Sequence, residues 1–233
     1  MPDDIWLLPL IAAIAKTPAD MVTSAAHGRA LAARPAHFEP ASVTAVVIGV
    51  STGGPNALAE LVPFLPASLT VPVFIVQHMP ALFTQMLAER LNRVAKVDVV
   101  EATDSEAVVA GRVYVAPGGR HMTIRGTATY AEIELTDDAP ENSCRPSADV
   151  LFRSAARVYG NGACGVVLTG MGSDGLRGCE AVRSAGGAVM AQDVRSSVVA
   201  SMPLAVAEAG LANAVLPLDE IGPTLVRWIT GAS

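Results

Sequence analysis

From Thr44 onward, apolar runs of strand length alternate with stretches whose apolar residues recur at helical spacing. Residues 45–50 (AVVIGV) form an unbroken apolar run, as a strand covered on both faces requires. Residues 56–65 (NALAELVPFL) predict a helix, and 71–77 (VPVFIVQ) a second buried strand. The stretch 81–94 (ALFTQMLAERLNRV) reads as an amphipathic helix with Leu82, Met86, Leu87 and Leu91 near one face. Short strands follow at 96–102 and 111–117, and 122–135 (MTIRGTATYAEIEL) alternates like a hairpin. Residues 147–160 predict a helix with Ser147 at its N-cap. Beyond it, 165–170 (GVVLTG) is a buried strand, 175–187 a helix, 188–192 (AVMAQ) a strand and 202–210 a helix. Strands separated by helices of this length demand parallel pairing through right-handed crossovers. The expected class is α/β: a three-layer, doubly wound, mainly parallel sheet with an antiparallel hairpin. In such a sheet, ligands bind outside the carboxyl ends of the strands.

The first forty or so residues follow another pattern. An apolar stretch, 5–15 (IWLLPLIAAIA), contains Pro9, follows Asp3 and Asp4, and is too short to span a bilayer. It reads as an amphipathic or buried helix rather than a targeting signal. The Ala-rich segment after it is broken by Pro18, Pro35 and Pro40, so residues 1–43 are expected to be a helical appendage and linker, and 44–233 one domain. Its histidines, His27 and His37, are expected on solvated surface.

Composition narrows the function. With 51% hydrophobic residues, 4% aromatic and 20 glycines, the chain suits a packed α/β domain. A net charge of −6 argues against nucleic acid or an anionic membrane surface as partner. Cys144, Cys164 and Cys179 show no CxxC spacing and are odd in number, which speaks against a zinc cage and excludes a full disulfide framework. Reduced thiols in a cytoplasmic protein without metal or cofactor are the expectation.

The carboxyl-end rule selects three polar residues. Ser51 follows the strand ending at Val50, within a G-x-S-x-G turn; His78 follows the strand ending at Gln77; Asp174 follows the strand near Thr169. A hydroxyl needs a base to become a nucleophile, and the imidazole needs a carboxylate to fix its tautomer. Ser51 also fits a helix cap or a phosphate cradle. Gln77 and His78 stand where a dinucleotide site would want an acid, and the turn lacks the lysine of a Walker loop. The order Ser, acid, His of an α/β-hydrolase fits poorly, because no histidine follows His121. His121 remains a rival base and Asp193 a rival acid. Asp149 lies in a helix's first turn, where the dipole accounts for it. Arg145 either orients a substrate carbonyl or pairs with a surface carboxylate; Met171 either lines the pocket or makes the turn.

Together, GVSTGGPNAL, VQHMPALFTQMLAERLN, GRVYVAPGGRHM, RPSADVLFRSAA, LTGMGSDG and AQDVRSSVVASMP resemble one family from about residue 45 onward. It is the protein-glutamate methylesterase of bacterial chemotaxis, CheB, in its catalytic domain. The resemblance implies hydrolysis of glutamate γ-methyl esters on the cytoplasmic helices of chemoreceptors, with release of methanol, and deamidation of particular receptor glutamines. It places the nucleophile on Ser51, the histidine on His78 and the aspartate on Asp174, in preference to His121 and Asp193. It places oxyanion stabilisation on Met171; the amides opening the helix after Ser51, with Thr52 and Gly53 in that turn, are expected to share it, and Arg145 is a candidate substrate contact. Two positions depart from the family pattern, Cys144 in place of a histidine and Ser201 in place of a glycine, and neither is expected to touch the triad. Members of that family usually carry an N-terminal phosphoacceptor receiver of about 120 residues as well. Fewer than fifty residues precede the first strand here, which fits a stand-alone enzyme or a fragment beginning near the linker.

Overall fold

A computed structural model describes residues 43–231. The expectations for residues 1–42, including the apolar stretch, His27, His37 and the linker, lie outside the described residues.

The strands in chain order are β1 (Ala45–Val50), β2 (Val73–Gln77), β3 (Asp98–Glu101), β4 (Arg112–Val115), β5 (His121–Thr127), β6 (Tyr130–Thr136), β7 (Ala163–Val167), β8 (Ala188–Gln192) and β9 (Ala214–Leu216). Seven form one sheet in the order β3-β4-β2-β1-β7-β8-β9, with every pairing parallel. The remaining two, β5 and β6, pair antiparallel as a hairpin. The helices are α1 (Gly54–Leu61), α2 (Ala81–Val94), α3 (Ala148–Tyr159), α4 (Leu176–Ser184), α5 (Ser201–Glu208) and α6 (Leu218–Thr230).

Alternation along β1 divides the core. Val46, Ile48 and Val50 point to the layer of α1, α2 and α6, where they meet Leu58, Leu61, Leu87, Leu91, Ile221 and Leu225. Ala45 and Val47 point to the other layer, with Phe152 of α3, Val182 of α4, Val206 of α5 and the hairpin's Met122 and Ile133. Because both faces are covered, the central strands carry apolar residues without a break. The expected three-layer, doubly wound sheet with an antiparallel hairpin is the fold found.

Three details differ from expectation. In α2 the buried face is Thr84, Leu87, Ala88 and Leu91, while Leu82 is 68% and Met86 55% exposed. The buried set follows the i, i+3, i+4, i+7 stripe of one helix face, and Leu82 and Met86 lie off it. The second strand begins at Val73, because Pro72 has no N–H and supplies only its carbonyl, to Val46. Finally, β9 and α6 occupy residues to which the sequence assigned no element.

The register sets the site. Val50 pairs with Gln77, so β1 and β2 end side by side, and Gly49 pairs with Val167 on the other flank. The chain leaves β1 toward β2 and later returns beside it as β7. Such a switch point opens a crevice beyond the strand ends.

Candidate active site

Ser51 is the first residue past β1. Its amide donates to Thr169 O at 3.0 Å, and its carbonyl accepts from Gly54 N at 2.8 Å. Gly53, at φ +85°, makes the turn into α1 as its N-cap, in the left-handed region open to glycine at little cost. A Cβ on Gly53 would also stand 2.8 Å from the Val198 side chain. The Ser51 hydroxyl caps no helix, and among the described residues it makes no hydrogen bond. The amides of Thr52, Gly53 and Met171 likewise donate to no acceptor among the described residues. The Met171 side chain stands 73% exposed at the rim.

His78 follows β2, its amide donating to Val50 O at 3.2 Å. Its Nε2 donates to Asp174 Oδ2 at 2.7 Å. That bond fixes the tautomer and leaves Nδ1 as the basic nitrogen. Gln77, buried at the end of β2, donates from Nε2 to Ser51 O at 3.0 Å and to His78 O at 3.2 Å, tying the two strand ends together.

Asp174 is buried and accepts from five donors. Oδ2 takes His78 Nε2 and, at 2.6 Å, the Ala148 amide; Oδ1 takes Ser147 Oγ at 2.7 Å, Asn142 Nδ2 at 2.8 Å and the Asp149 amide at 3.1 Å. Burial opposes its ionisation, but the hydrogen bonds from His78, Ser147 and the amides of Ala148 and Asp149 outweigh burial and hold its pKa down at about 2. The N-terminus of α3 adds its dipole to the same effect.

The other polar residues weighed in the sequence also have partners here. Ser147 occupies the N-cap position of α3, yet its hydroxyl goes to Asp174 and makes no cap hydrogen bond, so Asp174 caps the helix from another loop. Asp149 is more than a dipole partner. It is buried, which raises its pKa, and its two oxygens accept from Gly178 N and Asn142 Nδ2, joining α3 to α4. The rival base His121 is buried with both nitrogens engaged: Nδ1 accepts from Ser147 N and Nε2 donates to Ala139 O. The rival acid Asp193 accepts from the amide and hydroxyl of Ser196, closing the turn after β8. Arg145 donates to the carbonyls of Asp137 and Asp138, bracing its own loop.

The family model for the CheB methylesterase matches residues 46–225. The chain belongs to the CheB methylesterase family. It is similar to a protein-glutamate methylesterase/protein-glutamine glutaminase of Trichodesmium erythraeum, at 50% identity over 79% of this chain and 52% of that protein. A relative of the same name from Rhodopseudomonas palustris is 48% identical over 94% of this chain and 57% of its own length. The crystal structure of the Thermotoga maritima CheB methylesterase catalytic domain superposes with a TM-score of 0.78 at 40% identity, covering 80% of this chain and 98% of that one. The chain spans about half the length of the curated relatives it matches.

Of the two departures from the CheB family pattern, one does touch the constellation. Cys144 Sγ lies 3.6 Å from His78 Nδ1. Ser201 Oγ donates to Gly170 O, in the turn after β7. The sequence showed no sign of the site contacts of Gln77, Asn142 and Thr169 beyond one. Gln77 carried one signal, an amide closing an otherwise apolar strand; the other two carried none.

Proposed function

We propose that this chain is a serine hydrolase that removes methyl groups from glutamate γ-methyl esters of chemoreceptors and deamidates receptor glutamines. The observation that carries the reading is the His78–Asp174 pair at the carboxyl end of β2, beside a Ser51 hydroxyl left without a structural partner. The names of its relatives, protein-glutamate methylesterase/protein-glutamine glutaminase, support the substrate class.

In this reading His78 Nδ1 takes the Ser51 proton as Oγ attacks the ester carbonyl. Asp174, with its pKa near 2, remains a carboxylate throughout and stabilises the imidazolium. The tetrahedral oxyanion is met by amides of Thr52, Gly53 and Met171. The C–O bond to the methoxyl then breaks, and methanol leaves with the proton from His78. Water, deprotonated by the same nitrogen, hydrolyses the acyl-enzyme to release glutamate and Ser51. With a glutamine side chain, the same steps release ammonia.

The partner in this reading is the methylated cytoplasmic helix of a chemoreceptor, which sets the place of action in the cytoplasm. Among the described residues, no helix is long and apolar enough to cross a membrane. The test is methanol release from methylated chemoreceptor membranes by the purified chain. Ser51→Ala is expected to lower the rate by about 10⁴- to 10⁶-fold. Release by Ser51→Ala near the wild-type rate overturns the reading.

A further inference from the structure

The basic nitrogen of the candidate triad already has a partner. Nε2 of His78 is committed to Asp174, so Nδ1 carries the one free lone pair of the ring, and Cys144 Sγ stands 3.6 Å from it. Burial and the neighbouring Asp174 charge raise the Cys144 pKa, so near neutral pH the sulfur keeps its hydrogen and is a donor.

The thiol does not drift into this position. Glu141 and Cys144 exchange backbone hydrogen bonds at 3.1 and 2.8 Å around a tight turn in which Asn142 and Ser143 have positive φ. One end of the turn is pinned by two Glu141–Arg153 hydrogen bonds at 2.7 and 2.5 Å, and its middle by Asn142 on Asp174. The loop that helps hold the acid therefore also presents a thiol to the base.

We propose that Cys144 is a positioning residue that restrains the reaction: its S–H holds Nδ1 of the resting imidazole and must be displaced before the Ser51 hydroxyl can donate there. One lone pair cannot serve both donors. The absence of a hydrogen bond on Ser51 Oγ among the described residues is the counterpart of the thiol contact. This inference rests on the reading of Ser51 as nucleophile and His78 as base.

Two measurements on the full chain test it, both by methanol release from methylated receptor membranes. Cys144→Ala frees Nδ1, so kcat is expected to rise roughly two- to fivefold, the worth of one weak hydrogen bond, with KM within about twofold. A merely structural cysteine gives no such rise. The second measurement is the conservative variant Cys144→Ser, whose hydroxyl keeps a donor at the position that lies 3.6 Å from Nδ1. Its kcat is expected to stay at or below the wild-type value, in contrast to the rise in Cys144→Ala.

A folded Cys144→Ala protein whose kcat is unchanged or lowered overturns the inference, as does a Cys144→Ser protein whose kcat rises as the inference expects of Cys144→Ala. If Cys144→Ala fails to fold, Cys144→Ser decides: a kcat at or below wild type supports the inference and a raised one overturns it. Activity retained by Ser51→Ala would instead remove the underlying hydrolase reading, so the two failures are distinguishable.

Discussion

Replacing Asp174 by Asn removes a charge while nearly preserving the shape of the side chain, and the structure sets the size of the effect. The carboxyl has a pKa of about 2 in the folded protein against 3.8 for the free group. A folded pKa below the unfolded one means that the unfolded chain binds the proton more readily. The contribution is therefore fully present above about pH 4 to 5 and is lost as the pH falls toward 2. A depression of nearly two units corresponds to roughly 2 kcal/mol of stability at pH 7, falling to about 1 kcal/mol at pH 3. Asp174 is 2% exposed, so solvent screening takes little from this figure. The assay is urea unfolding of the wild type and of Asp174→Asn at about pH 7, 5 and 3, with stabilities from the midpoints and slopes. The wild type is expected to be the more stable at pH 7, with the gap narrowing by about 1 kcal/mol at pH 3. A gap that stays constant or widens on acidification refutes the electrostatic account. Methanol release by the folded variant is expected to drop by roughly 10⁴-fold, since the neutral amide no longer fixes the imidazole tautomer.

Gln77→Leu removes both amide hydrogen bonds that tie the Ser51 and His78 carbonyls together. Steady-state kinetics on methylated receptor are expected to show kcat lowered roughly 10- to 100-fold with KM within about twofold, because a small misplacement of reacting groups is costly. His121→Ala leaves the buried Ser147 amide without its acceptor and is expected to cost at least about 1–3 kcal/mol in urea unfolding. Its folded fraction should keep turnover within about threefold of wild type, against the 10²-fold or greater loss expected of a base; a loss of that larger size would restore His121 as the base. On α2, Leu87→Ala is expected to cost about 2–5 kcal/mol and Leu82→Ala less than about 0.5 kcal/mol. The reverse order in urea unfolding would mean that the other face of the helix is the buried one.

How much of this was legible follows the physics of each element. The bounds of β1, α2 and β8 came out as read, because a doubly covered strand and an amphipathic helix carry their own periodicity. Nothing marked β9 and α6. The strand is three residues long at a sheet edge, and α6 contains Pro223, where sequence reasoning ends a helix. Burial of Ile221, Leu225 and Ile229 along one face holds α6 together despite the lost N–H. In the site, Ser51, His78 and Asp174 were each selected by one rule, that function gathers where strands end, and only the family resemblance preferred them to His121 and Asp193. The part Asn142 and Ser147 play in holding Asp174, and the contact of Cys144 with His78, were not legible, because these residues arrive from a loop and helix start whose path no periodicity encodes.

That hidden part joins stability to reactivity. Three of the donors to Asp174 come from the start of α3: the Ser147 hydroxyl and the Ala148 and Asp149 amides. Asp174 does for α3 what an N-cap side chain ordinarily does, and with Oδ2, which also takes the Ala148 amide, it orients the imidazole. The helix is seated against β1 at Gly49, where a Cβ would stand 2.7 Å from Ala148 Cβ. The strand that delivers Ser51 thus sets the position of the helix that charges the acid. Gly49→Ala is expected to cost about 1–3 kcal/mol by overpacking, and, since α3 must move with its amides, to lower turnover in the folded enzyme as well. Loss of a methylene elsewhere in the core, such as Leu61→Val, should lower stability alone. A Gly49→Ala protein that unfolds more readily yet turns over at the full rate would mean that α3 shifts without disturbing Asp174, and that the two properties are independent.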